Sequence, residues 1–185
     1  MKQIYFVRHC KAIDQEPEAR LTEEGIRQAL ELAEFLKNKN IEYIISSPFE
    51  RAIHTIKPLS KMIPCEIHID NRLQERILSR APLDNWMEIL EQSYVNYELK
   101  LDGGDSSTEA VERGMSVVRE MIARPEKSIC VVTHGALLSL LIRQFNKEFG
   151  FEDWKKLSNP DVYKLEIQGD QAFIERVWKP WSGPK

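Results

Sequence analysis

Short apolar runs alternate with longer amphipathic stretches along nearly the whole chain. Four runs rich in β-branched or aromatic residues predict strands, at residues 3–7, 41–46, 65–69 and 128–133. Between them, residues 22–38 and 48–62 repeat apolar positions at the spacing of amphipathic helices. A chain in which strands and helices take turns is typical of an α/β protein with a largely parallel central sheet.

The second half of the chain continues this alternation. Residues 82–99 are predicted to be helical, and a capping box at Ser106 predicts a helix that ends near residue 123. The segment "HGALLSLLIRQF", directly after the fourth strand, predicts a further helix. Residues 162–167 and 172–177 predict a closing hairpin.

The chain has no repeat, no low-complexity segment and no linker long enough to divide it. We therefore expect a single domain over residues 1–185. Within it, residues 76–104 are expected to cover the site and to bind the substrate. Trp178 and Trp181 are expected to pack a C-terminal tail onto the domain.

Composition narrows the class of protein. A chain with 42% hydrophobic and 30% charged residues is globular and soluble, and its net charge of −3 argues against a nucleic-acid partner. No apolar run approaches the roughly 20 residues of a membrane span, and no signal-peptide pattern is present. Three widely spaced cysteines do not suggest a disulfide framework. We expect a cytoplasmic protein without a membrane partner.

Candidate chemistry collects where predicted strands end. In open parallel sheets, ligands bind outside the carboxyl ends of the strands. The first strand ends in Arg8 and His9, and the fourth ends in "VTHG", which places His134 in the first turn of the next helix. After the second strand, "SSPFERAIHT" offers a capped helix start at Ser47, with Arg51 at the end of its first turn.

Two arginines, two histidines and two helix N-termini at one sheet edge favour a compact anion, and phosphate is the natural candidate. A neutral histidine can attack phosphorus while cations stabilise the charge on the equatorial oxygens. The leaving alkoxide then needs a proton, and "NRLQERIL" offers Glu75 as the acid. Taken singly, His134 is interpreted as a capping or packing residue, Arg51 as a surface residue and Glu75 as a loop carboxylate.

These segments together resemble a known family. "RHC", "LTEEGIRQA", "SSPFERAIHT", "RLQE", "GGDSSTEAVER" and "VTHG" occur in the order found in the histidine phosphatase superfamily, the phosphoglycerate-mutase-like proteins. The resemblance extends from about residue 4 to residue 165. It implies a three-layer α/β/α sandwich and a reaction without cofactor or metal. It also implies His9 as the phosphorylated nucleophile, Arg8, Arg51 and His134 as the phosphate pocket, and Glu75 as proton donor and then base.

The chain departs from the family pattern after the first motif. Cys10 stands where the family usually has glycine, and we expect its side chain in the core. Lys11 and Ala12 replace an acidic residue and a serine or threonine. Lys11 is a candidate ligand for an anionic substrate tail, with a solvated lysine as the simpler interpretation. Gln15 takes the place of a family asparagine as a further candidate for substrate binding.

The sequence favours hydrolysis of a phosphate monoester, on a small phosphorylated substrate or a phosphoprotein. Two alternatives stay open. One is a phosphomutase of the same family, because "LQER" with Arg76 resembles the acid motif of the mutases; the other is a phosphate-binding module without turnover. A zinc site of His9, Cys10 and His134 is disfavoured, because neighbours in a strand point to opposite faces. The particular substrate and the oligomeric state are not readable from the sequence.

Overall fold

A computed structural model describes residues 1–179, so Trp181 lies outside the described residues. The described residues contain one six-stranded sheet with the strand order β3-β2-β4-β1-β5-β6. The strands are β1 (Lys2–Arg8), β2 (Tyr43–Ser46), β3 (Ile67–Ile69), β4 (Ser128–Thr133), β5 (Asp161–Gln168) and β6 (Gln171–Arg176). The helices are α1 (Glu23–Leu36), α2 (Glu50–Met62), α3 (Trp86–Ser93), α4 (Ser107–Ala123), α5 (Gly135–Arg143) and α6 (Phe151–Lys155).

The sheet is mixed, with a parallel part and an antiparallel part. Strands β3, β2, β4 and β1 run parallel, whereas β5 pairs antiparallel with β1 and β6 antiparallel with β5. The predicted α/β fold with a mostly parallel sheet is confirmed, and so is the closing hairpin. The parallel part places the carboxyl ends of β2, β4 and β1 side by side.

Helices cover both faces of the sheet, as the alternation along β1 requires. Ile4 and Phe6 join a core with the apolar sides of α4 and α5. Tyr5 and Val7 join the core on the opposite face, with α1 and α2. Because successive side chains of a strand point to opposite faces, the four consecutive apolar residues 4–7 of β1 serve both layers. The molecule is a three-layer α/β/α sandwich.

Three predicted elements have different bounds in the structure. The expected helix over 82–99 is limited to α3, because the turn-forming sequence around Pro82 delays its start. The edge strand pairs with β2 over three residues only. Helix α2 begins at Glu50 rather than at Pro48: its N-cap is Phe49, and the Ser47 hydroxyl accepts a hydrogen bond from the Phe49 N–H at 3.3 Å.

Helix α1 fixes the loop that follows β1. The Thr22 hydroxyl caps the helix by accepting the Gly25 N–H at 2.9 Å. A methyl group at Gly25 would lie 2.1 Å from the carbonyl oxygen of Lys11, so only glycine lets the helix approach this loop. The "LTEEG" segment therefore acts by holding the chain just after His9.

The segment 76–104 is anchored to the helical layer that contains α5. Leu90 and Tyr94 are buried in the core, and the Tyr94 carbonyl accepts a hydrogen bond from Arg143 Nη1 at 3.1 Å. Its two ends meet where the Arg80 N–H donates to the Asp102 carbonyl at 2.9 Å. The role of this segment in covering a substrate stays a prediction.

At the other end of the fold, Trp178 is buried and its ring centre lies 5.3 Å from that of Phe35 in α1. This contact holds the chain that follows β6 onto the core shared with α1 and α2, as predicted for this tryptophan. Within residues 1–179, no helix is both long enough and apolar enough to cross a membrane.

Candidate active site

The predicted site residues lie at the carboxyl ends of three neighbouring strands. In the register of the sheet, Arg8 at the end of β1 is paired with Thr133 at the end of β4. Ser46 at the end of β2 flanks β4 on its other side. The residues that follow these strands, including His9, Ser47 and His134, therefore leave the sheet at one edge.

His9 lies buried in the loop after β1, with 6% of its surface exposed. Its Nδ1 lies 2.7 Å from the Cys10 carbonyl oxygen, which can only accept, so Nδ1 carries the hydrogen. Its Nε2 accepts a hydrogen bond from Arg51 Nε at 3.3 Å. Burial, assisted by the nearby Arg51 and Arg8 cations, lowers the pKa of His9 to about 3 against the effect of the Cys10 carbonyl. The ring is neutral, with a lone pair on Nε2.

Arg51 is held by the loop that precedes α1. Its Nη1 donates to the carbonyl oxygens of Gln15 and Glu16, at 3.0 and 2.9 Å. Gln15 thus meets the site through its backbone carbonyl, and its side chain is exposed. The guanidinium carbon of Arg51 also lies 4.9 Å from the centre of the Phe49 ring. Of the three guanidinium nitrogens of Arg51, Nε and Nη1 donate hydrogen bonds, and Nη2 has no protein partner among the described residues.

Arg8 lies against the first residue of α5. Its Nη1 donates to the Leu157 carbonyl at 3.1 Å, while its buried Nε has no partner among the described residues. Burial lowers the pKa of Arg8, and the carboxylates of Glu75 and Asp161 oppose that shift. An unpaired N–H on a buried guanidinium is costly unless a ligand accepts it, and an anion would do so.

His134 is the N-cap of α5 and precedes its first turn, one position earlier than expected. Its Nε2 lies 2.8 Å from the Ser47 hydroxyl oxygen, and its buried Nδ1 has no partner among the described residues. The ring stands edge-on to that of His9, with the ring centres 5.1 Å apart. Burial above all, and then His9, Arg51 and Arg8, hold the pKa of His134 well below its usual range.

The Glu75 carboxylate occupies the N-terminus of α5. Its Oε2 accepts the Ala136 N–H at 2.9 Å, and its Oε1 accepts the Leu137 N–H at 2.8 Å. Both N–H groups belong to the first turn, where no helical carbonyl can accept them. The Arg76 N–H also donates to Oε1, at 2.8 Å. Glu75 is thus placed beside His134 and Gly135 by the same helix end that contacts Arg8.

The structure brings together Arg8, His9, Arg51, Glu75 and His134, whereas the side chains of Lys11 and Cys10 make other contacts. Lys11 Nζ forms an exposed ion pair with Glu24 at 2.9 Å. Cys10 is fully buried in a small cluster with Leu21 and Ala29, as expected. Burial raises the pKa of the Cys10 thiol to about 12.

Two residues of the site had no predicted role. The Thr55 hydroxyl accepts the Cys10 N–H at 2.8 Å and donates to the Arg51 carbonyl at 2.7 Å, which ties the His9 loop to α2. The Asn159 Nδ2 donates to the His9 carbonyl at 2.9 Å. Thr55 closes the "SSPFERAIHT" segment, so that motif carried a signal for it; Asn159 lies in no motif.

Within residues 1–179, no three side chains of the His, Cys, Asp and Glu types are grouped so that they could hold a metal ion. The fold and this cluster, in which Arg51, His9 and His134 are buried and Arg8 is half-buried, define an α/β protein with a cationic site at its sheet edge.

The chain belongs to the histidine phosphatase superfamily (branch 1), whose family model matches residues 4–179. Among the curated relatives is a probable phosphoglycerate mutase GpmB of Proteus mirabilis, 29% identical over 158 residues, covering 77% of this chain and 74% of the relative. The probable phosphoglycerate mutase GpmB of Salmonella choleraesuis is 26% identical over 191 residues, covering 92% and 87%.

Solved structures share the fold. YhfR of Bacillus stearothermophilus superimposes with a TM-score of 0.78 at 19% identity, covering 95% of this chain and 96% of that one. A mycobacterial glucosyl-3-phosphoglycerate phosphatase gives a TM-score of 0.73 at 20% identity, covering 89% of each chain.

Proposed function

We propose that the protein is a phosphatase that hydrolyses phosphate monoesters through a phosphohistidine intermediate, without a metal ion. The observation that carries this proposal is the state of His9. Its Nδ1–H is held by the Cys10 carbonyl and its Nε2 keeps a lone pair, next to the Arg51 guanidinium. A neutral imidazole so oriented is a nucleophile with a cation beside the atom it attacks.

In the proposed reaction, His9 Nε2 forms a bond to phosphorus as the bond to the ester oxygen breaks. The Glu75 carboxylate takes up a proton when the substrate binds, and it passes that proton to the leaving oxygen. The resulting Glu75 carboxylate then removes a proton from water, which attacks phosphorus, breaks the P–N bond and releases inorganic phosphate. Arg8, Arg51 and His134 stabilise the charge on the non-bridging oxygens.

The position of Arg76 supports hydrolysis over phosphoryl return to a second anionic group. Its side chain is buried, and its guanidinium donates to the Ser107 hydroxyl at 2.7 Å and to the Asp105 carbonyl at 2.8 Å. A guanidinium used to hold the chain after Glu75 is not available to bind a substrate carboxylate. Lys11, the other candidate cation for a substrate tail, forms an exposed ion pair with Glu24, and its part in substrate binding stays a prediction.

The mutase alternative rests on the names of the curated relatives, which are probable phosphoglycerate mutases. The phosphatase proposal has the support of structural neighbours that are named as phosphatases, the mycobacterial glucosyl-3-phosphoglycerate phosphatase and a putative alpha-ribazole-5'-P phosphatase of Escherichia coli. As substrate we propose a small phosphorylated molecule or a phosphoprotein, with its phosphate in the cationic pocket.

The test is hydrolysis of a generic aryl phosphate in excess EDTA. Wild type should release product, His9→Ala should release none, and His54→Ala should serve as the control, since His54 lies on α2 and contacts none of the five site residues through a hydrogen bond. Activity undiminished in His9→Ala would overturn the role of His9. Binding of vanadate by the wild type without turnover would instead indicate a binding module, and activity lost in EDTA would contradict the metal-free mechanism.

A further inference from the structure

The Ser47 hydroxyl and the His134 ring share a hydrogen bond whose donor can be assigned. Ser47 Oγ lies 2.8 Å from His134 Nε2, and both side chains are fully buried. The Ser47 oxygen already accepts the Phe49 N–H at 3.3 Å. Among the described residues, no acceptor other than His134 Nε2 lies within reach of the Ser47 hydroxyl hydrogen.

The hydroxyl therefore donates to Nε2, and Nε2 must be unprotonated to accept it. A neutral imidazole carries one hydrogen, so that hydrogen lies on Nδ1. Nδ1 is buried and has no partner among the described residues. The ring is held between His9 and Phe49, with ring centres at 5.1 and 5.0 Å, so it cannot present the other nitrogen without repacking.

We propose that Ser47 is a positioning residue: it fixes the tautomer of His134 so that a neutral Nδ1–H is offered to the phosphoryl oxygens. The inference rests on the proposed function, because it identifies how one ligand of that phosphate pocket is prepared. In the opposite tautomer, Nδ1 would present a lone pair to an anionic oxygen and repel it.

The two histidines then share one tautomer for opposite purposes. In His9 the Cys10 carbonyl accepts the Nδ1–H, so Nε2 is unprotonated and can attack once a phosphate oxygen takes over the hydrogen bond that Arg51 Nε donates to it. In His134 the Ser47 hydroxyl occupies the Nε2 lone pair, which leaves the Nδ1–H for donation. Because burial keeps both rings neutral, the hydrogen-bond partner alone decides which nitrogen reacts and which nitrogen donates.

The direct measurement is the nitrogen NMR spectrum of the wild-type imidazoles at neutral pH, with the His134 signals assigned by comparison with His134→Asn. We expect Nδ1 protonated and Nε2 unprotonated in His134. A protonated Nε2 in the wild type would overturn the proposal, whatever the variants do. This NMR measurement needs no turnover, so its result does not depend on whether the protein is a phosphatase.

The variants test the consequence for binding and turnover. Ser47→Ala should lose the single tautomer and lower kcat for an aryl phosphate by about 100-fold, with weaker binding of vanadate. Ser47→Thr keeps the hydroxyl and should restore the tautomer and most of the activity. Ser46→Ala is the matched control, because Ser46 is equally buried but its hydroxyl donates to the Ser47 carbonyl at 2.9 Å.

Equal losses in Ser46→Ala and Ser47→Ala, with the His134 tautomer unchanged in both, would show a packing effect and contradict the proposal. Loss of the tautomer in Ser47→Ala with undiminished kcat and vanadate binding would also contradict it. If Ser47→Ala shifts the tautomer and weakens vanadate binding while the wild type hydrolyses nothing, the positioning role holds and the proposed hydrolysis fails.

Discussion

Arg8 and Gly135 are in direct contact: a methyl group on Gly135 would lie 2.8 Å from Arg8 Nε and 2.9 Å from its guanidinium carbon. The backbone of Gly135 is the first turn of α5, so it cannot retreat without moving the N–H groups that hold Glu75. The arginine of "RHC" therefore has room for its side chain only because the residue after His134 in "VTHG" is glycine. This contact links two motifs that lie far apart in the sequence, at residues 8–10 and 132–135.

Gly135→Ala should displace the Arg8 guanidinium and lower kcat/KM for an aryl phosphate by about 100-fold, since small displacements of a positioning group have costs of this size. Binding of vanadate should weaken in parallel. Gly150→Ala is the matched control, because a methyl group there meets nothing within 4 Å. Full activity in Gly135→Ala would mean that Arg8 does not contribute to the phosphate pocket.

Glu75→Gln should separate the two halves of the reaction. With a good aryl leaving group, bond cleavage needs no proton, so His9 should still be phosphorylated. Hydrolysis of the phosphohistidine needs a base, and we expect that step to slow by about 10²- to 10⁴-fold. The variant should therefore show a burst of product followed by a slow phase, and intact-mass analysis should detect a phosphorylated protein.

An alkyl phosphate offers the comparison for this variant. Its leaving group needs the proton, so Glu75→Gln should lose the burst with that substrate. Identical burst behaviour with aryl and alkyl phosphates would contradict the role of Glu75 as proton donor.

The sequence predicted the convergence of the site residues because the strands that lead to them have strong apolar patterns. Arg8 and His134 flank strands that are buried on both faces, and such runs show clearly where a parallel strand ends. Glu75 was harder to place, since the strand before it is only three residues long and a 3₁₀ turn, Asn71–Leu73, follows it. Its position depends on long-range contacts with α5 that no local pattern encodes.

The contacts that individual side chains make around the site, above all those with the backbone, could not be predicted from the sequence. Lys11 and Gln15 were candidates because of the charge and the amide that they carry, but Lys11 pairs with Glu24 in the structure and Gln15 contacts Arg51 through its backbone carbonyl. Thr55 and Asn159 support the His9 loop through single hydrogen bonds to its backbone. Such bonds depend on which loops meet in space, and residue type alone does not specify them.

Thr55→Val tests the support of the His9 loop from α2. The substitution keeps the shape of the side chain but leaves the buried Cys10 N–H without an acceptor, at a cost of about 1–3 kcal/mol in the free energy of unfolding. We expect a lower midpoint in urea together with reduced kcat, because the nucleophile loop loses its link to Arg51. Thr55→Ser retains the hydroxyl and should keep both the loop and the activity. Equal activity in the two variants would show that this link does not position His9.

Stability should depend on pH through His9 and His134, which are buried and neutral. The folded-state pKa of His9 is about 3, and that of His134 is also far below the unfolded value of about 6.5. Between those values the unfolded chain binds more protons, so the free energy of unfolding falls as the pH falls from about 6.5 towards 3. Each histidine should contribute a slope of up to about 1.4 kcal/mol per pH unit.

Urea unfolding of wild type and of His9→Gln measures this slope. The difference between their free energies of unfolding separates the contribution of His9 from that of the carboxylates, which titrate below pH 5. Above pH 7.5 the difference should be constant, because His9 is then neutral in both the folded and the unfolded chain. From pH 6 to pH 5 the wild type should lose stability relative to the variant by about 1.2 kcal/mol, since the unfolded histidine is mostly protonated there. Parallel curves over that interval would contradict a neutral His9 in the folded protein, and with it the lone pair on Nε2 that the proposed reaction requires.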